Sequence, residues 1–198
     1  MKNPTIKTLV AATFLLGGTL HSAMAATDTA AGTDPVTDFF RDGKVNIDIR
    51  ARYEGVDQTG VRDADAVTLR TRIGYTTADF SGINASIEFE DIRALDGDAY
   101  NQAGLNPGGA DRAIVADPVG TEVNRAWIGY NADATTLKLG RQRIVYDNAR
   151  FVGDVGWRQN MQTYDAFTIR NTTIDGLVLN YAYIDQVNRV LGHDHPNG

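Results

Sequence analysis

From Lys44 onward the chain alternates apolar and polar residues with a period of two. Lys44 to Glu54 sets Val45, Ile47, Ile49, Ala51 and Tyr53 on one face and Lys44, Asn46, Asp48, Arg50, Arg52 and Glu54 on the other. Eleven residues of unbroken alternation match the length a tilted strand needs to cross a bilayer. Val67 to Thr76 repeats the pattern, with Val67, Leu69, Ile73 and Tyr75 opposite Thr68, Arg70 and Arg72, and Thr71 as the one polar residue on the apolar side. Ile83 to Glu90 follows. Val123 to Tyr130 is weaker, Thr136 to Arg143 is short, Thr163 to Arg170 is ambiguous in register, and Leu177 to Ile184 closes the series.

A half-buried soluble sheet also alternates, so the connections carry more weight. They run long, short, long, short, long, short, over residues 55–65, 77–82, 91–122, 131–135, 144–162 and 171–176. The short ones carry turn chemistry in Asn131 with Asp133, in Asn171, and in Asp175-Gly176. Short turns at one end and long loops at the other are what an outer-membrane barrel shows. A periplasmic sandwich has no reason for that rhythm. The expected fold is all-β, an antiparallel up-and-down transmembrane β-barrel, of which these seven strands form part. Tyr53, Tyr75 and Tyr130 fall near strand ends, where an interfacial aromatic belongs, although tyrosine also favours strands in general.

The front of the chain sets the compartment. Lys2 and Lys7 precede the apolar run Thr8 to Leu20, and Ala23-Met24-Ala25 offers a cleavage site before Ala26. Residues 1–25 thus read as a cleavable export signal, with a buried helix or an uncleaved anchor as the alternatives. Residues 26–43 read as a periplasmic tether in which Asp34-Pro35 caps a helical turn carrying Phe39 and Phe40. Subtracting the signal and its two lysines from 198 residues and 19 basic side chains leaves 173 residues with 17 basic against 25 acidic groups. An acidic chain is poorly suited to nucleic acid, where phosphate must be neutralised. Without cysteine there is no disulfide framework. No mature stretch reaches the roughly 18 apolar residues of a spanning helix. The expected partners are outer-membrane lipid and the barrel assembly machinery.

The stretch Gly140 to Phe167 resembles the alginate-export family of outer-membrane porins. It contains Gly140-Arg141-Gln142, Arg150-Phe151-Val152-Gly153, Gly156-Trp157-Arg158-Gln159-Asn160 and Thr163-Tyr164-Asp165-Ala166. The run Asp185 to Arg189, placed after the seventh strand, is similar too. The resemblance implies a monomeric barrel of about eighteen strands with a basic lumen for an anionic polyuronate. Seven strands do not close a bacterial barrel, so 44–198 reads as the N-terminal part of a longer protein.

The inward set holds Lys44, Arg50, Arg52, Arg70, Arg72, Arg125 and Lys138 against Asp48, Glu54, Glu88 and Glu90. Rings of Arg and Lys favour anions in pores; the same charges also suit a solvated wall paired across strands. Arg150, Trp157 and Arg158 sit in the 144–162 connection. They fit either a constriction that meets sugar rings and carboxylates, or an ordered loop packed on Trp157 and Phe151. These residues are the candidate pore-lining and substrate-binding set.

Asp96-Gly97-Asp98 with Asp111 and Asp117 lacks the spacing of a calcium loop, and His193-x-His195 lacks a third ligand, so no metal or other cofactor is expected. Ser81 and Ser86 lack a nucleophile context, and the only histidines after residue 25 are His193 and His195, so catalysis is not expected. The functional expectation is an outer-membrane porin passing anionic solutes such as polyuronate. A general diffusion porin and a soluble periplasmic β-sandwich binding module are the alternatives.

Overall fold

The computed structural model describes residues 6–10, 14–18 and 34–198. Its elements are β1 (Ile6–Val10), β2 (Phe14–Gly18), α1 (Pro35–Arg41), β3 (Lys44–Gln58), β4 (Ala64–Thr76), β5 (Ile83–Ala94), β6 (Gly120–Ala132), β7 (Thr135–Gln142), β8 (Thr163–Asn171) and β9 (Leu179–Asn188). From β3 to β9 each strand pairs antiparallel with the next, giving seven up-and-down strands curved into half a barrel.

Seven strands were expected and seven are found, mostly longer than the alternation alone marked. β3 runs on to Gln58, β4 begins at Ala64, β5 continues to Ala94 and β6 begins at Gly120. The added residues lie at the long-loop end, where loop side chains cover the strands and strict alternation is no longer required. One boundary is corrected: Leu177 lies in the turn, and β9 takes in Asp185 to Asn188 that were placed beyond it.

Burial runs opposite to that of a water-soluble sheet. Ile73 (53% exposed), Ile128 (62%) and Leu139 (62%) face outward, whereas Arg70 (3%), Glu88 (2%) and Glu90 (1%) are covered on the inner face. A sandwich would bury the first set and expose the second. An apolar exterior around a polar lumen is the arrangement of a barrel in lipid. Among the described residues of β3 to β9, outward charge returns near the long loops, as in the Arg93–Asp91 pair (2.8 Å) beside Thr121 and in Arg141–Asp165 (2.8 Å). Tyr53 donates to Asp65 (2.8 Å) at the same level. At the short-turn end Tyr75 and Tyr130 mark the other border.

Two of the strand pairs contain bulges. Between β5 and β6, Glu88 opposes Arg125 but Phe89 opposes Val123, so Asn124 is the extra residue. Between β8 and β9, Asp165 opposes Gln186 but Ala166 opposes Ile184, which leaves Asp185 over. This extra residue lies on β9; β8 alternates throughout, and its pairing with β7 puts Tyr164, Ala166, Thr168 and Arg170 on the inner face.

α1 has the expected cap, with Asp34 Oδ1 accepting from Val36 N (3.1 Å) and proline in the first turn. It docks at the short-turn end, where Ala78 N donates to Phe39 O (3.0 Å) and the Tyr75 hydroxyl donates to Phe40 O. Gly43 leaves room for the Tyr75 ring there, since a Cβ would lie 2.1 Å from its hydroxyl and push it off this contact.

The residues read as an export signal fall partly in β1 and β2. Both lie antiparallel along the outer edge of β3, with Ile6 to Val10 opposite Gln58 to Glu54 and Phe14 to Gly18 opposite Ala51 to Ile47. Lys2, His21, the Ala23-Met24-Ala25 site and tether residues 26–33 lie outside the described residues.

Placing arginine at Ile73, mid-strand on the outer face, should cost roughly 2–4 kcal/mol and impair insertion. Asn46→Arg, on the inner face opposite Gly74, should leave the unfolding midpoint near that of the parent. Urea titration of folded, detergent-extracted protein checks both. Equal tolerance at the two positions would contradict the assigned faces.

Candidate functional site

The inner wall of β3 to β6 is a lattice of charge. Register places Arg50 directly opposite Arg70, Asp48 opposite Arg72 and Arg52 opposite Thr68. Arg72 opposes Glu90 on β5, and Glu88 opposes Arg125 on β6. Cations so close and so buried require partners. Arg70 bonds Asp48, Arg72 bonds Glu90, and Arg52 bonds both Glu54 and Asp117. Arg125 bonds Glu88 through Nε (3.0 Å) and through its second nitrogen. Asn124 Nδ2 also donates to Glu88 (2.6 Å), so the bulge brings two successive side chains to one carboxylate.

Arg50 is different. It meets no carboxylate among the described residues, and its guanidinium donates to the Gly156 carbonyl (3.0 Å), the Trp157 carbonyl (3.4 Å), the Arg158 carbonyl and Gln159 Oε1 (2.9 Å). The connection between β7 and β8 therefore enters the lumen and rests on the wall.

Gln159, wholly buried, is the seat. Its carbonyl accepts from Arg70 (3.2 Å) and Arg72 (3.3 Å). Its amide Nε2 donates to Thr68 Oγ1 (2.8 Å) and the Thr68 carbonyl (3.2 Å), and its backbone N–H donates to Asp117 (2.9 Å). A glutamine fits because this spot needs an acceptor for Arg50 and a donor for Thr68 on one side chain.

The loop between β5 and β6 closes the long-loop end from the inner side. Tyr100, Ala113 and Val115 pack on Val56, Ala64 and Ala66, the inward residues of β3 and β4. The Tyr100 hydroxyl donates to the Asp117 carbonyl (2.8 Å). Burial, with the Asp117 charge nearby, raises its pKa far above the usual tyrosine range. Asp117 thereby joins the two loops, reaching Arg52, Gln159 and, at 3.8 Å, Arg158.

The loop also presents aromatic faces. Trp157 (61% exposed) has the Arg158 guanidinium 4.2 Å and that of Arg52 5.9 Å from its ring centroid. Arg158 further bonds Glu54 (3.0 Å). Phe151 is 90% exposed and carries Arg150 at 5.5 Å, so the loop does not pack on Phe151; besides its polar seat it packs Ile144, Tyr146 and Val152 against Tyr164 and Ala166. A cavity of about 500 Å³ opens among Arg150, Phe151, Gly156 and Trp157. Lys138, farther round the wall on β7, lies 4.1 Å over the Trp127 ring.

Residues 43–180 match the family model described as alginate export. The chain belongs to the alginate-export family. This is a family of outer-membrane export porins, a transport family and not an enzymatic one. No curated protein and no solved structure matches the chain significantly.

The sequence pattern placed the alginate-export match on the stretch that folds into the lumen. Its Gly140-Arg141-Gln142 motif has a structural basis: Gly140 has φ +117, and a Cβ there would lie 2.4 Å from the Ala126 carbonyl. Of the candidate residues, Arg50, Arg52, Arg70, Arg72 and Arg158 meet in one network with Trp157 above it. Arg125 adjoins this network through Glu88, whereas Lys138 and Arg150 stand apart. Gln159, Asp117 and Arg170 were not singled out for this role. Gln159 lies inside the Gly156 to Asn160 motif, but carries no charge to mark it.

Asp96, Asp98, Asp111 and Asp117 do not converge on a metal. Asp111 pairs with Arg62 (3.0 Å), which lowers its pKa, and Asp117 is buried in the network. Among the described residues no group of three or more metal-ligating acids or histidines forms. His193 rests on Glu122 (3.3 Å).

Gln159→Ala should leave Arg50 and Thr68 with unmet buried groups, each worth about 1–3 kcal/mol. The strands should still assemble, residues 148–158 should become accessible to protease, and single-channel conductance should rise. Conductance and cleavage pattern identical to the parent would show that Gln159 does not hold the loop.

Proposed function

We propose that this protein passes anionic solutes across the outer membrane, with a carboxylated polysaccharide of the polyuronate kind as its first candidate. The observation that carries this reading is where charge is left unmatched. Each inward carboxylate on β3 to β5, namely Asp48, Glu54, Glu88 and Glu90, is held by a guanidinium. Arg50, Lys138 and Arg170 have no carboxylate partner among the described residues. On β6, Glu122 opposite Glu90 meets only His193 among the described residues, so three cations without a carboxylate stand against one acid without a guanidinium, and the surplus on the lumen wall is positive although the chain is acidic overall; low-dielectric surroundings focus that field on a passing anion.

The inserted 143–162 loop narrows the path beside this wall, and Trp157 with its neighbouring guanidinium groups suits a sugar ring bearing a carboxylate. An export signal over residues 1–25, removed before Ala26, belongs to the same reading. Its removal would free the edge of β3, along which β1 and β2 lie, for pairing with another strand.

Planar bilayers containing the full-length protein test the proposal. Under a salt gradient the reversal potential should favour the anion. Oligouronate should block the current at concentrations where a neutral oligosaccharide of equal length does not. Equal passage of both ions and equal response to both sugars would identify a general diffusion porin instead. Intact-mass analysis of the outer-membrane form should place the N-terminus at Ala26, and a mass that includes Met1 contradicts cleavage.

A further inference from the structure

The outer face is not smooth toward the short-turn end. Ile128 on β6 and Leu139 on β7 stand directly opposite each other, both 62% exposed, and form a ridge between two apolar hollows. On one side Phe40, Tyr75, Ala85, Ile87 and Ala126 line a hollow of about 480 Å³. On the other, Ile83, Tyr130, Leu137 and Phe167 line one of about 320 Å³. Ile128 and Leu139 belong to the walls of both, so the ridge is what divides them.

Register explains the shape. The outward residues form rows across the strands: Tyr75, Ile87 and Ala126 in one, Ala85, Ile128, Leu139 and Phe167 in the next. Ala85 opposes Ile128 and Ala126 opposes Ile87, so each alanine leaves a gap beside a large neighbour. α1 adds a further wall to the first hollow. Its Phe40 ring is 59% exposed, and the Phe40 carbonyl is fixed by the Tyr75 hydroxyl.

Depth decides the occupant. Both hollows lie between mid-strand and the short turns, at the level bordered by Tyr75 and Tyr130, and so face the periplasmic leaflet. Hydrocarbon meets them there, and a hollow that no chain follows forfeits the dispersion contacts of its lining. Two hollows with one shared wall match two acyl chains joined at one headgroup. The Tyr130 hydroxyl bonds no protein group among the described residues, and it stands at the border where a phosphate or ester oxygen lies.

We infer that this surface is a specific site for one two-chain phospholipid of the periplasmic leaflet, with an acyl chain on each side of the Ile128–Leu139 ridge. The site is independent of what passes through the lumen.

Native mass spectrometry of the detergent-extracted full-length protein tests it, with dipalmitoyl phosphatidylethanolamine as probe and its single-chain lyso form as comparison. The parent should hold the two-chain lipid about ten-fold or more tightly than the lyso form, a factor that two extra buried methylenes already supply. Ala85→Phe combined with Ala126→Phe fills the first hollow and should abolish that preference. Ile73→Phe, on the same outer face but outside both hollows, should leave it intact. Heat-modifiable migration checks the assembly of each variant. Should the filled variant not assemble, Leu139→Ala lowers the ridge without adding bulk, and it should bring the two lipids to nearly equal retention. Equal retention of both lipids by the parent, or equal loss in Ile73→Phe, would identify an exchanging lipid layer with no site. A filled or ridge-lowered variant that assembles and keeps the parent's preference likewise overturns the inference.

Discussion

A backbone that crosses hydrocarbon finds no water for its N–H and C=O groups, and each one left unpaired costs several kcal/mol. The consecutive antiparallel ladder from β3 to β9 meets that demand strand by strand. Two-residue links such as the one between Ala132 and Thr135 keep neighbours in register. Once the backbone is satisfied this way, alternate side chains are forced to opposite solvents. The outer set can be apolar without forming a core, and the inner set can be charged without being expensive, because the sheet brings matching charges opposite each other.

The lumen is then free to be filled from one end. Two loops enter, and they are held by different means. The β5–β6 loop uses a small apolar cluster of Tyr100, Ala113 and Val115 on the inward alanines of β4. The β7–β8 loop uses almost no apolar contact where it meets β3 and β4, and hangs instead on guanidinium groups that bond its carbonyls. Asp117 links the two arrangements, so that displacing either loop would strand charges belonging to the other.

How much of this was legible in the chain follows from which signals have a short period. The strands of β3, β4 and β5 were readable because lipid on one side and polar lumen on the other impose strict alternation. β6 was harder to read because the bulge at Asn124 breaks its period, and β8 because Tyr164 and Ala166 stand among its inner residues and Asp165 among its outer ones. The additional strand residues near the long loops went unseen because Ala64 and Ala66 face a packed loop rather than water. The arginines could be named but not their partners. Nothing local in the sequence says that Arg50 meets Gln159, which is 109 residues away, and an uncharged glutamine at the centre of a charged network gives no compositional sign. The alginate-export resemblance did lead to the right segment, since its motifs fall on the loop that enters the lumen.

The seat of that loop bears on how its position answers to acidity. Guanidinium groups stay charged at any ordinary acidity, and carbonyl and carboxamide groups neither gain nor lose protons there. The contacts from Arg50 to the carbonyls of residues 156–158, and from Arg70 and Arg72 to that of Gln159, therefore contain no titrating acceptor. The same loop is also tied by acids, with Asp117 accepting from the Gln159 N–H and Glu54 paired with Arg158, so its seat joins two kinds of contact: peptide oxygens whose hold on arginine does not depend on acidity, and carboxylates whose hold is one of charge.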